Sequence, residues 1–444
     1  MNVVIGLFFI LILSVIFAFV LWKFGIRDKR VYIFFAFTLL IHISAVLFID
    51  LTDFQPFSGG GGDYNSYHKA AESISRDIRQ WNAFPERDEL GGVSHYYPVI
   101  IGYVYFLTVP SMVVGQLFNA WIASIAVILL YFIVLEVTQS PKWAFSIGLG
   151  ANFYPSFLFY SSLLLKDVFV IVFALASVLL ILHLLKRFSW RLFALFYVSI
   201  ILLTHFRFYE GFIMLVAFVV SWFLLSREPI KARFTNGVVL LVLLGFIPQM
   251  FGMGYYGLAT LQHYANPVIV DYYQDIAYTG KDVAPAPVTQ EPVSQDQITQ
   301  EPVIQTGFAS TTDVKVDFSS PKAFLTSFPK ALTFVSIGPF PWQFKEARHY
   351  FALLETIPWT ALSVLILLGI VYAIKQRHPV LSITFFSLGL FLMLMIYISN
   401  FGITMRIRIP VFLLLSAFIP FGVVELNYLK SRFVVFIKKK NAIS

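Results

Sequence analysis

Long, uncharged apolar runs recur from one end of this sequence to the other, and they restrict its fold more than any other feature. Of the 444 residues, 58% are hydrophobic, 13% are charged and 49 are Phe. A soluble domain is usually about 45–50% apolar and about 25% charged. A water-soluble fold could not bury this much apolar surface, so the composition predicts an all-α polytopic membrane protein. There is no cysteine, which excludes disulfides, thiolate metal sites and cysteine nucleophiles.

The apolar runs predict about eleven transmembrane helices, because a bilayer core about 30 Å thick requires roughly 20 apolar residues per helix. The predicted spans are Val3–Leu21, Val31–Ile49, Val113–Val137, Ala144–Leu163, Val168–Leu185, Leu192–Thr204, Gly211–Leu225, Gly237–Met253, Leu353–Ala373, Val380–Ser399 and Pro410–Val424. The sixth span is short, and it could form one half of a broken helix with the seventh. The first run could be a signal peptide, but it lacks a basic start and a clear cleavage site, so we interpret it as a span.

The distribution of charge predicts the orientation of the chain. If the loop Lys23–Arg30 is cytoplasmic, the segments on that side are 22–30, 138–143, 186–191, 227–235, 375–379 and the tail from Leu426. These segments hold more than half of the 32 Lys and Arg residues but few of the 24 Asp and Glu residues. The positive-inside rule then predicts a cell-membrane protein with its N-terminus outside and its C-terminus in the cytoplasm. The net charge of +8 follows from this topology, so no nucleic-acid partner is needed to explain it.

The predicted spans leave two large extracytoplasmic loops, at about 50–112 and 254–352. The remaining parts are an additional N-terminal helix and basic loop at 1–30, a transmembrane core at 31–253, C-terminal helices at 353–428 and a basic tail at 429–444. The second loop contains a ten-residue repeat, TQEPVSQ then TQEPVIQ, within a Pro/Gln-rich stretch at about 281–306. This stretch lacks aromatic residues, so it predicts a disordered insertion rather than a binding motif.

Ionisable residues predicted at the outer face form the candidate site. Asp63 follows four glycines and begins a predicted surface helix at 63–80. Its carboxylate either only caps this helix or takes part in a reaction. Lys166 and Asp167 lie at a tight exterior turn, and they could be no more than a helix-capping pair. Because polar residues lie in the exterior loops and at helix ends, the pattern favours an enzyme over a channel or transporter.

Two groups of arginine residues are also predicted near this face. Arg207 and Glu210 interrupt a long apolar stretch, and their spacing would let them neutralise each other on one helical face. Arg406 and Arg408 precede the last span, where they call for an anionic partner, either membrane lipid headgroups or a specific phosphate. A reaction on a lipid-phosphate substrate requires arginine to bind the phosphate and a carboxylate base to take the proton of an incoming hydroxyl.

The order of these motifs resembles the GT-C superfamily of integral membrane glycosyltransferases, which includes protein O-mannosyltransferases and bacterial aminoarabinose transferases. The features that carry the resemblance are Asp63, Tyr67, Ala70 and Ala71 after a Gly-rich loop, the aromatic and proline segment His95–Pro98, Asn119, the hairpin Pro155–Asp167, Gly338–Trp342 with Glu355, and Arg406, Arg408 and Pro410. The resemblance covers roughly residues 31–428.

The resemblance implies a GT-C-like fold that transfers a sugar from a polyprenyl-phosphate donor to a lipid, glycan or protein acceptor in cell-envelope synthesis. It implies catalytic roles for Asp63 and Asp167. The residues implied in substrate and lipid-phosphate binding are Tyr67, His95, Lys166, Arg207, Glu210, Arg406 and Arg408. This chain has an additional span before the usual first one and no Asp-x-Asp pair near Asp63, so no cofactor is assigned and a divalent metal stays an alternative. A polysaccharide polymerase or O-antigen ligase, and a lipid-linked sugar flippase or transporter, are the other interpretations.

Overall fold

The computed structural model describes residues 1–54, 63–81, 96–243, 316, 320–344, 347–397 and 401–441. These residues are mostly helical, and no strand occurs within these ranges. The helices are α1 Asn2–Lys23, α2 Lys29–Thr52, α3 Asp63–Arg79, α4 Tyr97–Leu107, α5 Met112–Thr138, α6 Pro141–Asn152, α7 Pro155–Ser161, α8 Asp167–Lys186, α9 Trp190–Phe206, α10 Phe208–Leu225, α11 Ile230–Leu243, α12 Pro321–Ile337, α13 Leu353–Lys375, α14 Leu381–Tyr397, α15 Phe401–Ile407, α16 Ile409–Leu415 and α17 Ile419–Asn441. Short 3-10 turns occur at Pro341–Gln343, Ala347–Ala352 and Ser416–Phe418.

Seven helical segments in the described part of the chain are long and apolar enough to cross a membrane. They are Asn2–Lys23, Lys29–Thr52, Met112–Thr138, Asp167–Lys186, Phe208–Leu225, Tyr350–Gln376 and Ile409–Arg432. Shorter apolar helices cover Tyr97–Leu107, Trp190–Phe206 and Leu381–Met395. The described chain is therefore an all-α protein of the membrane-embedded class, as predicted. The count of eleven spans stays a prediction.

The predicted fourth span, Ala144–Leu163, is interrupted in the structure. Helix α6 ends at Asn152 and α7 begins at Pro155. Proline has no N–H to donate and forces the residue before it out of the helical region, and Tyr154 accordingly has an extended ψ of 112°. The single span predicted here is two helices of 12 and 7 residues, and each is too short to cross a bilayer alone.

The predicted sixth and seventh spans form a helical hairpin, α9 and α10, rather than two halves of one broken helix. Arg207 alone separates them, with an extended backbone at φ −149° and ψ 93°. The ring centroids of Phe196 and Phe218 are 4.5 Å apart, and those of Phe188 and Trp222 are 5.4 Å apart. Because earlier residues of one helix pair with later residues of the other, the helices are antiparallel and Arg207 lies at the tip.

One end of the bundle gathers segments that are predicted to be cytoplasmic. Lys186 Nζ donates to Glu136 Oε1 at 2.6 Å, and the Phe188 N–H donates to Glu228 Oε1 at 3.1 Å. Helix α8 runs from Asp167 to Lys186. At about 1.5 Å per residue, this length separates its two ends by roughly 30 Å. The charged residues around Asp167 therefore form a separate group at the opposite end.

The helix that begins at Asp63 is fixed by its apolar side. The buried residues of α3 recur at the three- and four-residue spacing of an amphipathic helix, and they include Tyr67, Ala71 and Ile74. Helix α4 packs closely against this side, because a Cβ added at Gly102 would lie 2.5 Å from the Ile74 side chain. A helix is thus observed with nearly the predicted bounds, and it packs against α4. Its predicted location on the membrane surface stays a prediction.

The chain divides into two compact units. The first contains Met1–Leu240, Glu346–Leu390 and Arg406–Ser444, and the second contains Leu241–Lys345 and Phe391–Met405. All contacts of the candidate site below lie within the first unit. The second contains α12, where the Ser320 side chain accepts a hydrogen bond from the Ala323 N–H at 3.1 Å. The predicted insertion at 281–306, including its repeat, lies outside the described residues.

Candidate functional site

An ion pair between Asp63 and Arg406 forms the outer part of the candidate site. Asp63 is the first residue of α3, and its side chain is 53% exposed. Arg406 lies near the end of α15, and its side chain is only 20% exposed. Both Nη1 and Nη2 of Arg406 donate to Oδ2 of Asp63 at 3.1 Å. A half-exposed carboxylate therefore accepts two N–H groups from a largely buried guanidinium.

Arg406 is held from its inner side by Asp167. Its Nε lies 2.7 Å from Asp167 Oδ2, while Oδ1 of the same carboxylate accepts from Arg207 Nη2. Arg207 Nη1 in turn donates to Glu210 Oε1 at 2.8 Å. Acids and arginines thus alternate from the surface inward, and the Asp167 and Glu210 side chains at the inner end are 2% and 0% exposed. Arg207 and Glu210 therefore form an ion pair, although Arg207 lies before the helix and not on the same helical face as Glu210.

The positions of these residues on their helices explain why buried charges are tolerated. Asp167 lies in the first turn of α8, and Glu210 lies in the first turn of α10. The positive end of the helix dipole stabilises a carboxylate there by about 0.3–1 kcal/mol. A charge withdrawn from water must also have a partner of opposite sign, and Arg207 at the hairpin tip supplies it to both acids.

Lys166 adds a further positive charge next to this cluster. It directly precedes α8 and is half-buried, and its ammonium makes no hydrogen bond or ion pair within the part of the chain that the structure describes. Burial, together with the nearby Arg207 guanidinium, lowers the pKa of Lys166 to about 8. An ammonium whose charged form is destabilised in this way would gain from an anionic ligand.

Tyr67 is buried beside the same charges. Its ring packs edge-on against Tyr97, with centroids 5.3 Å apart. Burial and the carboxylate of Asp63 both raise the pKa of the Tyr67 hydroxyl. The hydroxyl therefore stays protonated and is able to donate a hydrogen bond.

Asn119 on α5 fixes the turn that carries Lys166 and Asp167. Its Nδ2 donates to the carbonyls of Leu163 at 2.7 Å and Leu165 at 2.9 Å. The Tyr97 hydroxyl donates to Asn119 Oδ1 at 3.2 Å. One buried amide thus donates to two carbonyl groups of the non-helical turn, and the Leu163 carbonyl also accepts from the Leu165 N–H at 2.9 Å. The sequence resemblance pointed to Asn119, but only the structure shows its role in positioning this turn.

A second ion pair, between Glu355 and Arg408, is completely buried. Both side chains are 1% exposed, and Arg408 Nη2 donates to Glu355 Oε1 at 3.1 Å. The Tyr154 hydroxyl donates to Oε1 at 2.6 Å, and the Ser156 hydroxyl donates to Oε2. The centroid of the Phe412 ring lies 4.5 Å from Cζ of the Arg408 guanidinium. Tyr154 and Ser156 were not predicted as site residues. The sequence feature that could have indicated them is two polar side chains on either side of a proline within an apolar run.

The structure brings together most, but not all, of the residues predicted from the sequence. The group around Arg406 contains Asp63, Tyr67, Lys166, Asp167, Arg207 and Glu210. Arg408 follows Arg406 by two residues but points to a different partner, Glu355. His95 lies outside the described residues. The two arginines that the sequence treats as equivalent therefore have different surroundings.

The arrangement suits proton transfer and anion binding. Asp63 offers a half-exposed carboxylate, and Arg406 and Lys166 offer positive charge beside it. Within the described ranges, no group of three or more His, Asp or Glu side chains is arranged to hold a metal ion. Asp63 and Asp167 both face guanidinium groups.

No protein-family model matches the chain, and no curated protein is significantly similar to it. The resemblance to the GT-C superfamily therefore stays a prediction that depends on the order and spacing of the motifs. The described fold and site define a class by themselves: an all-α membrane-embedded protein with a cluster of paired charges at one end of its helices.

Proposed function

We propose that this protein is a membrane glycosyltransferase of GT-C type that moves a sugar from a polyprenyl-phosphate donor to an acceptor at the outer face of the cell membrane. The supporting observation is the half-exposed Asp63 carboxylate beside Arg406, a guanidinium anchored by a buried acid. Together with Lys166, this pair supplies a base for an acceptor hydroxyl and positive charge for a departing phosphate. Both functions lie at the end of an apolar bundle, where a lipid-linked substrate would be presented.

In the proposed reaction, the acceptor oxygen bonds to C1 of the sugar while the bond from C1 to the phosphate oxygen breaks. The phosphate keeps the electron pair, and Asp63 takes the proton of the acceptor hydroxyl. Arg406 and Lys166 stabilise the negative charge that develops on the phosphate. Arg207 and Asp167 are buried and bind each other, so we assign them the positioning of Arg406 rather than contact with the substrate.

The proposal includes about eleven spans, an exterior N-terminus and a cytoplasmic C-terminus. The orientation is supported by the basic segments that meet at one end of α8 and by Asp167 at the other end. Reporter fusions after Ser226 and after Ser310 are expected to indicate the cytoplasm and the exterior, respectively. The reverse pattern would put Asp63 in the cytoplasm and would contradict a reaction at the outer face.

The function itself is tested by comparing lipid-linked and envelope glycans in cells with and without the gene. Without it, one glycan is expected to lack a sugar, and the corresponding polyprenyl-phosphate sugar is expected to accumulate. Intact repeat units with altered chain length would instead identify a polymerase or ligase. A donor that accumulates only on the cytoplasmic leaflet would identify a flippase, and either result would overturn the proposed transferase.

A further inference from the structure

Building on the proposed function, we infer that the Asp63 carboxylate occupies the phosphate-binding edge of Arg406 in the empty protein, and that the donor phosphate displaces it. The site would then be closed by its own catalytic base until the lipid-linked donor arrives.

The two carboxylates on Arg406 differ in how easily they could be exchanged. Asp167 contacts Nε and is 2% exposed, and it is also fixed by Arg207. Asp63 contacts Nη1 and Nη2, is 53% exposed and has no second cationic partner among the described residues. The edge of Arg406 that Asp63 covers presents two parallel N–H groups, which is the geometry that a phosphate group binds. The inner carboxylate is therefore an anchor, and the outer one is replaceable.

Three acids and three bases meet in the cluster. The acids Asp63, Asp167 and Glu210 oppose the bases Lys166, Arg207 and Arg406. When Asp63 leaves Arg406, the Nη1 and Nη2 edge of this guanidinium loses its negative partner. A polyprenyl phosphodiester carries one negative charge, so it can replace the carboxylate without leaving a buried charge uncompensated. Lys166, which has no ion-pair partner within the described ranges, gains one from the same phosphate.

Displacement also prepares Asp63 for its proposed role. In the ion pair, Oδ2 already accepts two N–H groups from Arg406. Once released, both carboxylate oxygens are available to accept the proton of the acceptor hydroxyl. The donor phosphate and the Asp63 carboxylate compete for the same edge of the Arg406 guanidinium. Binding of the donor therefore also releases the base.

Binding of farnesyl phosphate, a short polyprenyl monophosphate, to the purified full-length chain in nanodiscs tests this exchange. The parent protein is expected to bind farnesyl phosphate in preference to farnesol and to inorganic phosphate. Asp63→Asn and Asp63→Ser are each expected to bind farnesyl phosphate about two- to fivefold more tightly, because a partly exposed ion pair has a strength that corresponds to this factor. Asp77→Asn, on the same helix, is expected to leave the affinity unchanged.

Repeating the Asp63 substitution in an Arg406→Lys protein shows whether the competition acts through Arg406. Arg406→Lys is expected to weaken binding of farnesyl phosphate, and Asp63→Asn in that background is expected to lose most of its tightening effect. If the parent binds farnesyl phosphate and both Asp63 variants bind it equally or more weakly, the exchange is wrong while the proposed function stands. If the parent does not prefer farnesyl phosphate to farnesol, the proposed function fails and the exchange fails with it. If inorganic phosphate binds as tightly as farnesyl phosphate, the inference that the bound phosphate belongs to a lipid is wrong.

Discussion

Asp63→Asn is expected to transfer sugar about 10²–10⁴-fold more slowly than the parent protein. Asparagine has nearly the same shape as aspartate and is almost as good at the start of a helix, so α3 should form and the protein should reach the membrane at a normal level. The amide cannot accept the proton of an acceptor hydroxyl. The measurement is the rate of sugar transfer in proteoliposomes at saturating donor, where a change in donor affinity does not contribute.

Asp77→Asn is the matched control for this variant. Asp77 lies on the same helix, is partly buried, and makes no side-chain ion pair within the described part of the chain. Its replacement is expected to leave the transfer rate near that of the parent. Equal and mild effects at Asp63 and Asp77 would show that Asp63 serves only the helix, and they would remove the catalytic assignment.

Glu355→Ala is expected to lower the free energy of unfolding by about 3–5 kcal/mol. The substitution removes the carboxylate that Arg408 binds at 1% exposure, and it also removes the acceptor of the Tyr154 and Ser156 hydroxyls. Removing one partner of a buried ion pair is among the largest single costs that a substitution can impose. Unfolding by denaturant in mixed micelles measures the loss.

Two further variants separate this effect from a general intolerance to substitution. Lys186→Ala removes the ion pair with Glu136 at the other end of the bundle, where the lysine side chain is 36% exposed. A solvated pair of this kind contributes about 0–1 kcal/mol, so little change is expected. Glu355→Gln combined with Arg408→Met removes both charges and is expected to recover much of the stability. Similar losses for Lys186→Ala and Glu355→Ala would contradict the assignment of a buried pair.

Local features of the site could be predicted from the sequence. The start of α3 at Asp63 follows from the change from a glycine run to an amphipathic pattern. The pairing of Arg207 with Glu210 agrees with their separation of three residues, although Arg207 lies just before α10 and only Glu210 lies in its first turn. The break at Pro155 also had a local signal, since proline restricts the residue before it. That signal was overlooked because the surrounding run is apolar enough for a span.

The partners that join distant parts of the chain could not be predicted. Arg406 and Arg408 stand two residues apart in the same sequence context, yet one meets Asp63 and Asp167 while the other meets Glu355. Which acid each guanidinium reaches depends on how α8, α13 and α16 pack, and spacing along the chain carries no information on that packing. For the same reason the sequence treated Arg207 as a phosphate ligand, whereas in the structure two buried carboxylates bind it.

The pair between Asp63 and Arg406 joins residues 343 positions apart, and this distance sets when the ion-pair cluster can form during biosynthesis of the protein. A ribosome adds about 5–20 residues per second, so roughly 20–70 s pass between the synthesis of the two residues. A nascent chain presents Asp63 and Asp167 to the membrane long before the guanidinium between them exists. A product that terminates before Arg406 would hold the acids without that cation, so the ion pairs of the site cannot form until the last part of the described chain has been made.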